Sequence, residues 1–147
     1  MTEDGLVVVI DTDVWSEIYL PRRARKSQHA DRWRRLLTGR TVVISTQTRA
    51  EVMFGFAVSG WGPDRKSSAR EALDRTATAP VDEPVVKAWA ELGAACRHQG
   101  HALHAKEHTG DRWVASTAIA LGAPLLGGDA IYRGAPGLVL AEQADGP

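Results

Sequence analysis

The sequence predicts a single α/β domain over residues 1–147, with a central parallel sheet of about four to five strands flanked by helices. Three observations carry that expectation. Short runs of branched apolar residues recur along the chain, first at 6–10 (LVVVI) and then at 41–45 (TVVIS), and such runs read as strands buried on both faces. Stretches with helical spacing lie between them, and strand–helix alternation is the mark of a parallel sheet. The length, 147 residues, suits one domain with one sizeable core.

Each element follows in order. Residues 13–20 (DVWSEIYL) continue from the first strand with helical spacing, and Pro21 closes them. Residues 30–40 read as a short basic helix ended by Gly39. After the second strand, 46–60 reads as a mostly apolar helix, 61–64 as a turn and 64–77 as an exposed, charged helix. A short extended stretch is expected at 78–81. Residues 82–100 form a helix with acids at its start and Gly100 past its end, the expected cap chemistry. Residues 101–110 read as a loop, 111–122 as a helix ended by Gly122, 123–126 as a third strand and 137–141 as a fourth. The termini, 1–4 and 145–147, are expected to fray.

Composition narrows the function classes. Hydrophobic residues make up 44% and charged residues 24%, ordinary for a soluble globular protein. No apolar run approaches the ~20 residues of a membrane span, and the acidic start Met-Thr-Glu-Asp-Gly lacks the basic region of a signal peptide. The lone cysteine, Cys96, excludes an internal disulfide and fits a reducing cytoplasm. A cytoplasmic protein without membrane contact is expected. Formal net charge is zero, yet eight of the 18 Lys and Arg fall between Arg22 and Arg40, with Asp31 the only acid among them. Such a run is either a solvated face or a surface for a phosphate backbone, and Arg22, Arg23, Arg25 and Lys26 lead it.

Four acids stand in unusual company. Asp11 ends the most apolar strand. Glu51 and Arg49 are the only charged residues between Thr41 and Pro63. Asp111 opens an apolar helix, and Asp129 follows the third strand behind two glycines. Singly, each has an ordinary explanation: a strand-ending turn for Asp11, a capping box with Thr48 for Glu51, an N-cap for Asp111, a turn for Asp129. Jointly they converge, because ligands of an open parallel sheet bind beyond the carboxyl ends of its strands. Like charges gathered there call for a cation, and oxygen-only ligands select a hard one, Mg²⁺ or Mn²⁺.

The stretches VVIDTDVW (8–15), ISTQTRAEVMFG (44–55), TGDRWVASTAIALG (109–122) and LLGGDAIYRGAPGL (125–138) resemble the four acidic motifs of the PIN domain. They most resemble those of the VapC-type ribonuclease toxins of toxin–antitoxin pairs, from Leu6 to Leu140. The third motif is the most specific, and the first alone is weak. The resemblance implies a PIN-like fold and a Mg²⁺- or Mn²⁺-dependent endoribonuclease. It also implies an RNA substrate, a homodimer and an antitoxin that blocks the cleft. It carries over to Asp11, Glu51, Asp111 and Asp129. The chain departs from the family at Asp13, where Ser or Asn is more usual, and at His108-Thr109-Gly110, which lack the asparagine common before the third acid.

Phosphodiester hydrolysis then assigns roles. Asp11 and Asp111 are the main metal ligands, Asp129 completes the site, and Glu51 is the general base or a water-mediated ligand. Thr12, Thr46 and Ser116 orient the carboxylates, and Asp13 is an auxiliary acid beside them. Trp15, Trp33 and Trp61 are either core residues or platforms for unpaired bases. The main rival is a haloacid-dehalogenase-type phosphatase, whose first motif Asp-x-Asp fits Asp11-Thr12-Asp13. It lacks the further acid after Gly-Gly-Asp, where Arg133 and Gly134 stand, and leaves Glu51 and Asp111 unused. A non-catalytic domain of the same fold is a second alternative. His98, His101, His104 and His108 have the spacing of a zinc site, but Gly100 and the lack of cysteine partners favour a loop.

Overall fold

The computed structural model describes residues 6–20 and 28–144. Strand β1 (Val7–Ile10) lies at the centre, with Val8, Val9 and Ile10 fully buried. Strand β2 (Thr41–Ser45) runs parallel to it, from Val7 opposite Thr41 to Ile10 opposite Ile44. Strand β3 (Ala77–Ala79) pairs in parallel outside β2, and β4 (Leu125–Leu126) pairs in parallel on the other side of β1. The order is β3-β2-β1-β4. All the carboxyl ends therefore share one edge. The chain order turns back across β1, so the crevice of such a sheet opens where β1 ends.

Two expected strands are corrected. The stretch at 137–141 is reduced to one parallel bridge between Leu125 and Leu140. Gly134 and Gly137, both at positive φ, turn the chain on either side of Pro136, so only Leu140 comes into register. The extended stretch expected at 78–81 is β3, one residue earlier, and Pro80 ends it because proline brings no N–H to the ladder.

Strand passes to helix almost without a loop. Asp11 is the single residue between β1 and α1 (Thr12–Tyr19), and its side chain caps α1 by accepting the Val14 N–H. Ser45 is both the last residue of β2 and the cap of α3 (Thr46–Val58), accepting the Thr48 N–H at 3.0 Å. That bond replaces the capping box of Thr48 with Glu51, and Glu51 lies more than a turn into the helix. Three further helices match their sequence signals: α2 (Ala30–Leu37), α4 (Pro63–Asp74) and α5 (Glu83–Gln99). Asp82 caps α5, and Gly100 ends it in the left-handed conformation that glycine tolerates. A four-residue α7 (Ala141–Ala144) follows Leu140.

The region 101–110 is more ordered than a loop. It forms two 3₁₀ turns, Ala102–His104 and Lys106–His108, and α6 (Thr109–Leu121) starts two residues early. Arg112 holds this region. It is buried, donates to the carbonyls of Leu103 and His104 at 3.2 Å each, and lays its guanidinium 4.0 Å over the Trp89 ring. Asp111 thus sits inside the first turn of α6, with His108 at the cap position.

The pleat divides the core into two layers. Val8 and Ile10 pack with Val14, Trp15, Trp33 and Leu37 on the α1–α2 side, and Val9 packs with Leu92, Val114, Ala118 and Tyr132 on the α5–α6 side. Trp15 is wholly buried, and its indole N–H donates to the Thr76 hydroxyl at 2.9 Å. Trp61 is only half-buried, against Phe56 and Arg65. Trp15→Ala should therefore cost about 3–5 kcal/mol of stability, and Trp61→Ala less than about 1 kcal/mol. Urea unfolding of both variants checks this, and equal losses would contradict the assignment of Trp15 to the core.

Candidate active site

The strand alternation that buries Val9 aims Asp11 to the α6 side. Its Oδ1 accepts the Val14 N–H at 2.9 Å and its Oδ2 accepts the Gly128 N–H at 2.8 Å. The carboxylate thus joins the start of α1 to the loop after β4. It is only 4% exposed. Burial pushes its pKa up to about 6, against the pull of the two N–H donors and with smaller repulsion from Asp13 and Asp111.

Five carboxylates line one open pocket: Asp11, Asp13, Glu51, Asp111 and Asp129, joined by Thr12, Val114 and Tyr132. No lysine or arginine lines it among the described residues. The acids come from separate places along the shared edge: Asp11 and Asp13 from the start of α1, Glu51 from α3, Asp111 from α6, Asp129 from the loop after β4. Burial raises the Asp13 pKa, reinforced by the charges of Asp129, Glu51 and Asp111. The acids face a common space without closing into a finished cage, and no metal-ready group of three His, Cys, Asp or Glu forms among the described residues. The donor set is all oxygen, which fits a hard cation of the Mg²⁺ or Mn²⁺ kind.

Each acid has its own support. The Thr12 hydroxyl donates to Glu51 Oε2 at 2.6 Å, with the buried Thr48 hydroxyl 3.2 Å from it, and the Gln47 amide donates to Glu51 Oε1 at 2.9 Å. His108 Nδ1 meets Asp111 Oδ2 at 3.2 Å, and the Tyr132 hydroxyl donates to Asp111 Oδ1 at 3.4 Å. Asp129 Oδ1 accepts the Ile131 N–H at 2.9 Å, capping the 3₁₀ turn Ala130–Tyr132. Burial drives the Tyr132 phenol far above its ordinary pKa, helped by the charges of Asp11 and Asp111, so it stays a donor. Its ring packs on Gly127, where an added Cβ would come within 2.6 Å of it.

Sequence reasoning reached Asp11, Thr12, Asp13, Glu51, Asp111 and Asp129, and the fold gathers all six. Thr46 and Ser116 are placed differently. The Thr46 hydroxyl donates to the Ala79 carbonyl at 2.7 Å, and the Ser116 hydroxyl to the Arg112 carbonyl within its own helix at 2.6 Å. Arg22, Arg23, Arg25 and Lys26 lie outside the described residues. Gln47, Thr48, His108 and Tyr132 were missed as supports. Gln47 stands one helical turn before Glu51, a spacing that could have flagged it. Tyr132 gave only the hint of a lone aromatic in a glycine-rich loop. Of the histidines, His101 takes the Leu103 N–H on Nδ1 and bonds the Arg133 carbonyl through Nε2 at 2.8 Å, so both its ring nitrogens are engaged.

Among curated proteins, none matches the sequence. Solved structures match in fold. A chain of VapBC2 from Rickettsia felis, bound to a DNA fragment from their promoter, superposes with a TM-score of 0.71 at 20% identity, covering 91% of this chain and 96% of that one. FitAcB from Neisseria gonorrhoeae gives 0.71 at 22% identity, with 94% and 99% covered. VapBC-5 from Mycobacterium tuberculosis, of the VapBC family of toxin–antitoxin systems, gives 0.66 at 21%, with 92% and 98% covered. The family model described as PIN domain matches residues 8–137, nearly the whole chain and all four acidic motifs, so the protein belongs to the PIN domain family.

Proposed function

We propose that the chain is a Mg²⁺- or Mn²⁺-dependent endoribonuclease and the toxin of a type II toxin–antitoxin pair. The observation that carries this reading is the pocket of five carboxylates lined by no lysine or arginine among the described residues. A cation would relieve the mutual repulsion of such a pocket, and a cation among carboxylates is suited to a phosphodiester. Asp11 and Asp111 would hold it, with Asp129 completing the set. Bound there, the ion would supply charge neutralisation and a more acidic water.

The chain's own residues do the rest. Glu51, fixed through both oxygens by Thr12 and Gln47, is placed to take the proton of the attacking water. Water adds to phosphorus in line as the bond to the leaving oxygen breaks. Asp13 adds negative charge at the rim, an auxiliary role. The basic run led by Arg22, Arg23, Arg25 and Lys26 is proposed to hold the RNA backbone.

Membership of a fold shared with VapBC and FitAB chains supports an antitoxin partner, and a homodimer is part of the same proposal. The outer side of α3 supports a protein partner too, with Met53, Phe54 and Val58 exposed, Phe54 at 68%. No helix among the described residues is long and apolar enough to cross a membrane, and a cytoplasmic location is part of this proposal.

The first test is cleavage of a mixed RNA pool with Mg²⁺, with EDTA, and by Asp11→Asn and Asp111→Asn. Mg²⁺-dependent cuts that both variants lose by at least about a hundredfold are expected, a loss on the scale of one key catalytic group. Full-rate cleavage in excess EDTA would overturn the reading. A second test needs no substrate. Asp111→Asn removes one of the facing charges, so it should raise the melting temperature in EDTA. Mg²⁺ should stabilise the wild type by about 2.7 kcal/mol at a hundred times its dissociation constant, and the variant much less. Asp111 is not the helix cap, so capping does not confuse the comparison. Equal stabilisation of both by Mg²⁺ would remove Asp111 from the metal site.

A further inference from the structure

The carboxylate pocket encloses about 60 Å³, room for an ion and a water or two but not for a nucleotide. Past Asp129 and Tyr132, which border both, the surface opens into a second pocket of about 160 Å³. Its chemistry is different. Where the first brings five acids and no Lys or Arg, the second sets Arg32, at the start of α2, and Arg133 beside the acids Asp129 and Glu142.

Both guanidiniums can meet an anion. Arg133 is exposed and pairs with no carboxylate among the described residues. Arg32 holds Glu142 at 3.5 Å, with both side chains substantially exposed, and such a pair is weak enough for a phosphate to displace. An aromatic shelf stands beside them. The exposed His29 ring lies 5.5 Å from the Trp33 ring and 22° from parallel to it, and unpaired RNA bases stack on rings of this kind. The floor is kept low by Gly128, where a Cβ would come within 3.0 Å of Asp13 and 3.5 Å of Trp33.

We propose that this second pocket is a nucleotide subsite. It takes the single-stranded RNA residue next to the phosphate at the carboxylates, with Arg32 and Arg133 facing phosphate and the His29 ring, backed by the buried Trp33, facing the base. The inference rests on the nuclease reading and adds a direction to it: the RNA leaves the acids toward α2, away from α3.

The test is fluorescence anisotropy of a short fluorescein-labelled single-stranded RNA on the Asp111→Asn protein, which leaves the RNA uncut. Arg133→Ala and Arg32→Ala should each weaken binding several-fold. Each should also flatten the slope of log affinity against log salt by roughly 0.7 for every phosphate no longer neutralised. Arg70→Ala, on the far helix α4, should change neither. Glu142→Gln frees Arg32 and removes a negative charge, so it should tighten binding, a gain that a misfolded variant does not produce. Unchanged affinity and slope in Arg133→Ala, or no gain in Glu142→Gln, would overturn the subsite. Should poly-glutamate bind in an Arg133-dependent way while RNA ignores Arg133, the pocket takes acidic protein chains instead. The two readings fail separately. Arg133-dependent RNA binding without cleavage by wild type in Mg²⁺ sinks the nuclease and keeps the subsite. Cleavage with RNA affinity indifferent to Arg133 does the reverse, and absence of any RNA binding sinks both.

Discussion

The Asp11 carboxylate is the interaction on which the site depends. One oxygen caps α1 through the Val14 N–H, and the other fastens the loop after β4 through the Gly128 N–H. Hydrogen bonds to a charged group contribute about 1.5–3 kcal/mol each, so this side chain ties the two halves of the crevice together. It does so almost out of contact with water, and burial outweighs both donors, since its pKa is raised rather than lowered. The same group is therefore a structural fastener and a buried charge that its two N–H donors do not fully compensate. A strand of branched apolar residues ends on a carboxylate because the helix starts there and needs a cap, and because the cap's remaining lone pairs open onto the pocket.

The other acids follow from the connections around that point. With no loop after β1 or β2, α1 and α3 leave the sheet edge at once and bring Thr12 and Glu51 within hydrogen-bond reach. Asp111 is held from two sides, by His108 in front of its helix and by Tyr132 from the 3₁₀ turn that Asp129 caps. Arg112, next to Asp111, anchors the preceding turns to α5. Convergence of like charges is thus a property of the fold and is maintained against their repulsion. Keeping these charges together costs stability, a cost that the proposed cation would relieve.

Much of this was legible in residue types. The β1 and β2 runs announced buried parallel strands, and Asp82 with Gly100 announced the ends of α5. The four acids were visible because each broke an apolar context. Other features depended on contacts that no local pattern encodes. Residues 137–141 are apolar enough for a strand, but two positive-φ glycines leave a single bridge. Residues 101–110 looked like a loop because Arg112, which orders them, reaches back across the chain to Trp89. Thr48 suggested a capping box, yet Ser45, the residue just before the helix, makes the cap. Tyr132 became a partner of Asp111 only when the sheet set β4 beside β1.

The central claim is that Asp11 stays buried and charged at a cost that a cation relieves, and stability against pH tests it most directly. Its pKa is about 6 in the folded chain and 3.8 ordinarily. The folded state thus holds the proton more tightly between these values. Metal-free stability should rise as pH falls from 7 toward 4, and this gain, on the order of 3 kcal/mol, is lost as pH rises through about 6. The measurement is urea unfolding of wild type and Asp11→Asn across that range, in EDTA and in saturating Mg²⁺. A steep slope is expected for wild type in EDTA, a shallower one for Asp11→Asn, and a flattened wild-type slope in Mg²⁺. Equal slopes for the two proteins in EDTA, or a wild-type slope indifferent to Mg²⁺, would contradict the claim.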